Sequence, residues 1–425
     1  MISASRRALI VLAAMLFPAA SVAQEPEMKP EDKERLESLT AFLAKSEEFL
    51  PTVNLFETEA LPVTIPYRDV LAHIVVDISL GDGPALPFMF DTGAPTIVTD
   101  ALAEEHGGEV LVEMASIAGG GTIMWSPLLL VPGATFGGNV PIRNVTAQSG
   151  WTAPGGLSCI SPHGLFGAPA MRNAVWQVDY GEKEITVAAS IDQLDHIEGA
   201  IELPFHTRPG TLSPSPQVML KVGGQELEFL VDTGGGIPLT INSADFEEAG
   251  LTLPDGAPVT ANIAGGAAGA FESRLTSIQL PVSIGGTEIT TTVFVGDGMA
   301  PLTAGNMGHL FLQNFVVTFD WSTETMYLDP LAKDRSVPVL ADVPAAGVGP
   351  QPDGSISVTS LAVGGRADTA GLTLGETVVA INGQDMTAAG IEVYCALAEA
   401  GVQTITTEGG ETYDVSDIEG FLLVE

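Results

Sequence analysis

Two acidic residues close apolar runs in the same kind of tight turn. They are Asp91 in "FMFDTGAP" (88–95) and Asp232 in "FLVDTGGG" (229–236). Two carboxylates brought together and sharing one proton can act as base toward a water. They can also act as acid toward a carbonyl oxygen and a departing amine, because like charges so close cannot both ionise. Aspartate is short, so its backbone must come in close, and Gly93 and Gly234 permit that approach. Thr92 and Thr233 offer hydroxyls for bonding from one turn to the other. The apolar runs 88–90 and 229–231 put each turn at the end of a buried strand, which makes the site rigid and partly desolvated.

The elements that must carry these turns come from a repeat. "GLFGAPAMRNAVWQVDYGEKEITV" (164–187) answers "GNMGHLFLQNFVVTFDWSTETMYL" (305–328), with an offset of 141 residues, the same as between Asp91 and Asp232. Two copies of one unit therefore follow each other. From about Leu61, short β-branched and aromatic runs alternate with Gly, Pro, Asn and Asp turns, which predicts mostly antiparallel strands. Glycine-rich "AGGGTIMW" (118–125) answers "AGGAAGAF" (264–271). Gly119, Gly120, Gly121, Gly265 and Gly266 are candidates for a mobile flap over the site, and a plain exposed hairpin is the competing reading.

At these residues the chain resembles aspartic proteases of the pepsin–retropepsin superfamily, in the bacterial retropepsin-like form fused to a PDZ domain. The resemblance implies a mainly β, bilobal acid-protease fold with a duplicated β lobe, 61–200 and 201–333. It makes Asp91 and Asp232 the catalytic pair, held by Thr92, Gly93, Ala94, Thr233, Gly234 and Gly235. The family supports each loop with two hydrophobics and a glycine, matched here by Leu165, Phe166 and Gly167 in the first copy and by Met307 and Gly308, preceded by Asn306, in the second. It implies a peptide or protein substrate, no cofactor and no metal. Three departures stand out: Asn306 occupies a position the family fills with an apolar residue, Gly235 replaces alanine or serine, and neither glycine-rich stretch carries a tyrosine. Since neither Ala94 nor Gly235 has a hydroxyl to bond the carboxylates, the optimum is expected to be less acidic than pepsin's.

Past a linker at 334–345, residues 346–425 resemble a small α+β PDZ domain, on "ISVTSLAVGGRADTAGLTLGETVVAINGQDM" (356–386). Such domains take a C-terminal peptide by strand addition, with backbone amides on its carboxylate. The matching peptide-binding loop is Ala346-Gly347-Val348-Gly349. From 336 onward there are 13 acidic residues against Arg366 alone. That balance is poor for a carboxylate receptor, so an intramolecular brace is an equal reading.

Residues 1–23 read as a secretory signal peptide: Arg6 and Arg7, an apolar stretch, then small residues. The mature protein is then expected to be exported, periplasmic or secreted, with no stable membrane span. Residues 24–60 read as a helical segment, with Leu36, Leu39, Phe42, Leu43 and Phe49 forming a stripe, and as a possible pro-segment. The net charge of −37, or −39 without Arg6 and Arg7, makes nucleic acid and anionic membranes poor partners. Cys159 and Cys395 leave a disulfide and two buried thiols equally open. The six scattered histidines match no zinc motif, and neither a phosphate loop nor a G-x-S-x-G elbow appears. Two rivals remain: a non-catalytic exported peptide-binding scaffold, and a lobe pair active only as an intermolecular dimer. Covalent duplication makes self-pairing cheaper, so a monomer is expected.

Overall fold

The computed structural model of the chain describes residues 30–117, 123–208, 212–266, 269–296, 302–332, 342–416 and 418–420. The signal segment 1–23, the glycines Gly119–Gly121 and linker residues 334–341 lie outside them. The chain is mainly β, as its short β-branched runs predict.

One antiparallel sheet joins the two halves of the repeat. Its strands lie in the order Val63–Pro66, Glu184–Ala188, Val175–Asp179, Phe315–Asp320, Thr325–Pro330, Ile201–His206. At its middle Val175 faces Asp320 and Asp179 faces Val316, while Gln177 lies opposite Thr318 and its Nε2 donates to Thr318 Oγ1 at 2.8 Å. Each residue thus pairs with the repeat equivalent of its mirror position, which is the signature of a twofold axis. Phe315–Asp320 is buried along its whole length, so its run of apolar residues reflects a strand covered on both faces.

The turn-bearing strands repeat one register. Leu86–Asp91 takes Gly164–Gly167 as a parallel neighbour, with Gly167 opposite Asp91. Gln225–Asp232 takes Gly305–Gly308 in the same way, with Gly308 opposite Asp232. Behind the first turn lies an aromatic cluster of Phe56, Phe90, Phe136, Phe166 and Trp176.

The N-terminal segment does not stop at 60 as a separate piece. Leu55–Phe56 already pairs with the strand Val140–Gln148, and Phe56 belongs to the main core. The helix Pro30–Leu43 buries Leu36 and Leu39, and Leu39 packs against Val112, Leu128 and Leu212. This sets the helix on the hairpin made by Glu109–Ile117 and Ile123–Phe136.

Two expectations for the C-terminal part are corrected. Residues 342–344, placed in the linker, form a strand paired with Ile418–Gly420. Ala346–Pro350, expected to be a loop, is a strand paired with Ile356–Ala362. Its glycines pack against that neighbour rather than making a turn: a Cβ on Gly347 would sit 2.5 Å from Ser360 Oγ. The strand Ile356–Ala362 also pairs with Val259–Gly266, Ala261 facing Leu361. Cys159 and Cys395 form a disulfide with Cα atoms 5.4 Å apart, tying the C-terminal helix Ile391–Ala400 to the short helix Leu157–Ile160.

Candidate active site

The two turns meet. Thr92 N–H donates to Thr233 Oγ1 at 3.0 Å, and Thr233 N–H donates to Thr92 Oγ1 at 3.1 Å. Each hydroxyl then donates onward, Thr92 to the Val231 carbonyl and Thr233 to the Phe90 carbonyl. Both threonines are wholly buried. Four bonds related by the twofold axis therefore clamp the loops where no water competes, which is where such bonds hold geometry best.

Inside this clamp each aspartate lies against the other loop's glycine. A Cβ on Gly93 would fall 2.6 Å from Asp232 Cγ, and one on Gly234 would fall 2.5 Å from Asp91 Cγ. Only glycine leaves room for the carboxyls to face each other. Gly93 N–H donates to Asp91 Oδ1 and Gly234 N–H to Asp232 Oδ1, both at 2.9 Å. Burial, then the Asp232 charge, pushes the Asp91 carboxyl well above the usual carboxylate range, against the lowering pull of the Gly93 and Ala94 N–H groups. The geometry is that of a proton-sharing pair.

The residues named as loop supports lie beside the two turns. Leu165, Phe166 and Met307 are buried, and Gly167 and Gly308 let their strands pass under the loops. A Cβ on Gly167 would meet the Ala94 and Pro95 backbone, and one on Gly308 would meet the Ile237 and Gly235 carbonyls. Of the flap candidates, Gly265 and Gly266 lie in a ladder with Ala270 and Gly269. Their hairpin is the one paired with the C-terminal strand Ile356–Ala362. The other hairpin borders the cleft: Met114 and Ala115 line a cavity of about 290 Å³ together with Gly93, Leu128, Leu212 and Leu302.

Residues 218–309 match the family model described as Aspartyl protease. None of the curated proteins matches this chain. The matched segment contains Asp232, Thr233, Gly234, Met307 and Gly308, and the repeat carries the same arrangement to Asp91.

Two findings escaped the sequence reading. The first is a donor from outside the turns: with no hydroxyl at Ala94 or Gly235, Asn306 Nδ2 donates to Asp232 Oδ2 at 2.7 Å. The second is a buried ring stack behind the second loop. His73 and His309 lie 6.2 Å apart, and Tyr180 meets His309 edge-on at 5.2 Å. His309 N–H of the backbone donates to the Gly235 carbonyl, so the stack abuts the Asp232 loop. No spacing links these residues in the chain, so only the fold reveals them.

Burial, with His73 beside it, lowers the His309 imidazole to about 4, and its Nδ1 is buried without a hydrogen-bond partner. The unfolded chain takes up this proton near pH 6.5, whereas the folded chain resists until about 4. The stability contributed by a neutral His309 is therefore complete above about pH 6.5 and drains away between there and 4, by about 3 kcal/mol in all. Denaturant midpoints at pH 7 and pH 4.5 are expected to differ by less in His309→Phe than in the parent. An unchanged difference would show that His309 does not titrate in this way.

Proposed function

We propose that this protein is an aspartic endopeptidase with Asp91 and Asp232 as its shared acid–base pair. The observation that carries the reading is the mutual seating of each carboxyl on the other loop's glycine, inside a buried threonine clamp. In this mechanism a water lies between the carboxyls. The ionised carboxylate takes its proton as the water oxygen attacks the peptide carbonyl carbon, and the protonated carboxyl gives its proton to the carbonyl oxygen. A tetrahedral diol forms. Its collapse breaks the C–N bond, one diol proton returns to a carboxylate, and the amine leaves with the other carboxyl's proton. The cavity beside Gly93, with Met114, Leu128, Leu212 and Leu302, suits an apolar substrate side chain.

Both aspartates come from one chain, which favours a monomer over the intermolecular dimer. The C-terminal unit acts as a brace in this reading. Its strand extends the second hairpin's sheet, its helix is disulfide-bonded to the first half, and Tyr394 Oη donates to the Val348 carbonyl at 2.7 Å. That bond occupies an acceptor on the strand where a PDZ-like peptide would add. Export is favoured by the disulfide, which persists in oxidising compartments.

The test is digestion of a diverse peptide library across pH 4–8, read by mass spectrometry. Cutting blocked by a peptide with a hydroxyl-bearing tetrahedral isostere at the scissile bond supports the reading. A folded protein that cuts nothing, with and without residues 24–60, moves it to the binding scaffold.

A further inference from the structure

We infer that Asn306 is a positioning residue of the carboxyl pair: its carboxamide does the work of a loop hydroxyl, holding the charge on Asp232 and the shared proton on Asp91. This rests on reading the pair as an acid–base dyad. The register explains how a residue distant in sequence arrives there. Gly308 lies opposite Asp232 in the parallel ladder, and Asn306, two residues earlier, points to the same face of its strand as Gly308. The diagonal distance on one face is within reach of a side chain of this length. Its Nδ2 ends 2.7 Å from Asp232 Oδ2.

Three observations make the bond more than a neighbourly contact. First, Asp232 Oδ1 already accepts from Gly234 N–H, so Asn306 serves the other oxygen and completes the donors around that carboxylate. Second, Asn306 Oδ1 is buried with no partner. An unpaired buried acceptor is costly, and it is tolerated where the other end of the amide has a task. Third, the side chain at 235 and the Asn306 bond exclude each other. A Cβ on Gly235 would fall 2.9 Å from Asp232 Oδ2 and 3.0 Å from Asn306 Nδ2. The bare glycine and the asparagine are therefore one substitution in structural terms, not two unrelated departures.

The first loop has backbone donors in Gly93 and Ala94 but no side-chain amide of this kind. Leu165 occupies the equivalent of Asn306, so no amide from that position reaches Asp91. The asymmetry fixes roles that a symmetric pair would leave open: Asp232 is the base toward water, and Asp91 is the acid toward the carbonyl oxygen. The titratable groups that face Asp232 are Asp91, His73 and Tyr180, with Asp69 acting on His73.

The experiment is a carboxyl titration by carbon NMR of protein labelled at aspartate side chains, which needs no turnover. The variants are Asn306→Leu, Asn306→Ala, Gly235→Ser and the double variant Asn306→Leu with Gly235→Ser. Removal of the amide is expected to raise the lower apparent pKa of the pair by about one unit. Gly235→Ser alone is expected to disturb the titration by displacing the amide. The double variant is expected to bring the lower step back toward the parent value, because the hydroxyl enters the space the amide left. The acid limb of the cleavage profile should move in step.

If Asn306→Leu does not fold, Asn306→Ala removes the donor without added bulk. A lower step that stays in place in both overturns the inference, and so does a double variant that merely adds the two single effects. A parent protein that cuts no peptide while the titrations behave as described would sink the protease reading and leave the role of Asn306 standing.

Discussion

Asp91→Asn is expected to lower peptide cleavage by about 10³-fold or more while the protein stays folded, and Asp232→Asn is expected to do the same. Asparagine keeps the size and planar shape of the side chain, so the packing against Gly234 survives. What is lost is the exchangeable proton. An amide cannot pass a proton to the carbonyl oxygen and take it back, so the sequence of transfers stops. The two losses should not add. Once one carboxyl is gone the other has no partner, and the double variant should be about as inactive as either single one. The measurement is initial rate on a peptide from the library digest, with circular dichroism and a denaturant midpoint as controls for folding. Residual cutting above a hundredth of the parent rate by a well-folded Asp91→Asn would place the chemistry elsewhere.

The largest effect on stability is expected from Trp176→Ala, at about 3–5 kcal/mol. Trp176 is fully buried, and its ring meets Phe56, Phe90, Phe136 and Phe166 at centroid distances of 5.9, 5.7, 5.0 and 5.7 Å. Its indole N–H donates to the Met171 carbonyl at 2.8 Å. Alanine would leave a cavity among four rings that cannot all collapse into it, and an unpaired carbonyl as well. The effect should reach the site, since Phe90 directly precedes Asp91 and its carbonyl accepts from Thr233 Oγ1. Urea unfolding with an unchanged slope and a lowered midpoint is the expected result. A loss below about 1 kcal/mol would mean that the aromatic cluster repacks freely.

The carboxyl pair was legible because its signals are local and then repeated. Asp91-Thr92-Gly93 is read within three residues, and the 141-residue offset supplies the partner turn. Strand texture was legible for the same reason: alternation and turn residues act over a few positions. Asn306 was visible only as a departure, since its role depends on a parallel ladder that brings it beside Asp232. His73 and His309 carried no spacing at all, and their meaning lies in a ring stack between a strand and a short helix distant in the chain. Ala346–Gly349 was read as a loop from its place in the PDZ resemblance alone. Here the close approach of Ser360 and Thr359 requires glycine within a strand. The two cysteines stand 236 residues apart, and no local rule could have joined them.

That disulfide closes a covalent ring, and the ring encloses the whole second copy of the repeat. Asp232 lies inside it; Asp91 lies on the arm that precedes Cys159. A single backbone cut anywhere between the two cysteines opens the ring without dividing the molecule, so both aspartates stay on one covalent body. Under the protease reading, each copy of this chain is also a peptide within reach of its neighbours. For such a protein the crosslink sets how much self-inflicted damage it can carry before its two halves part.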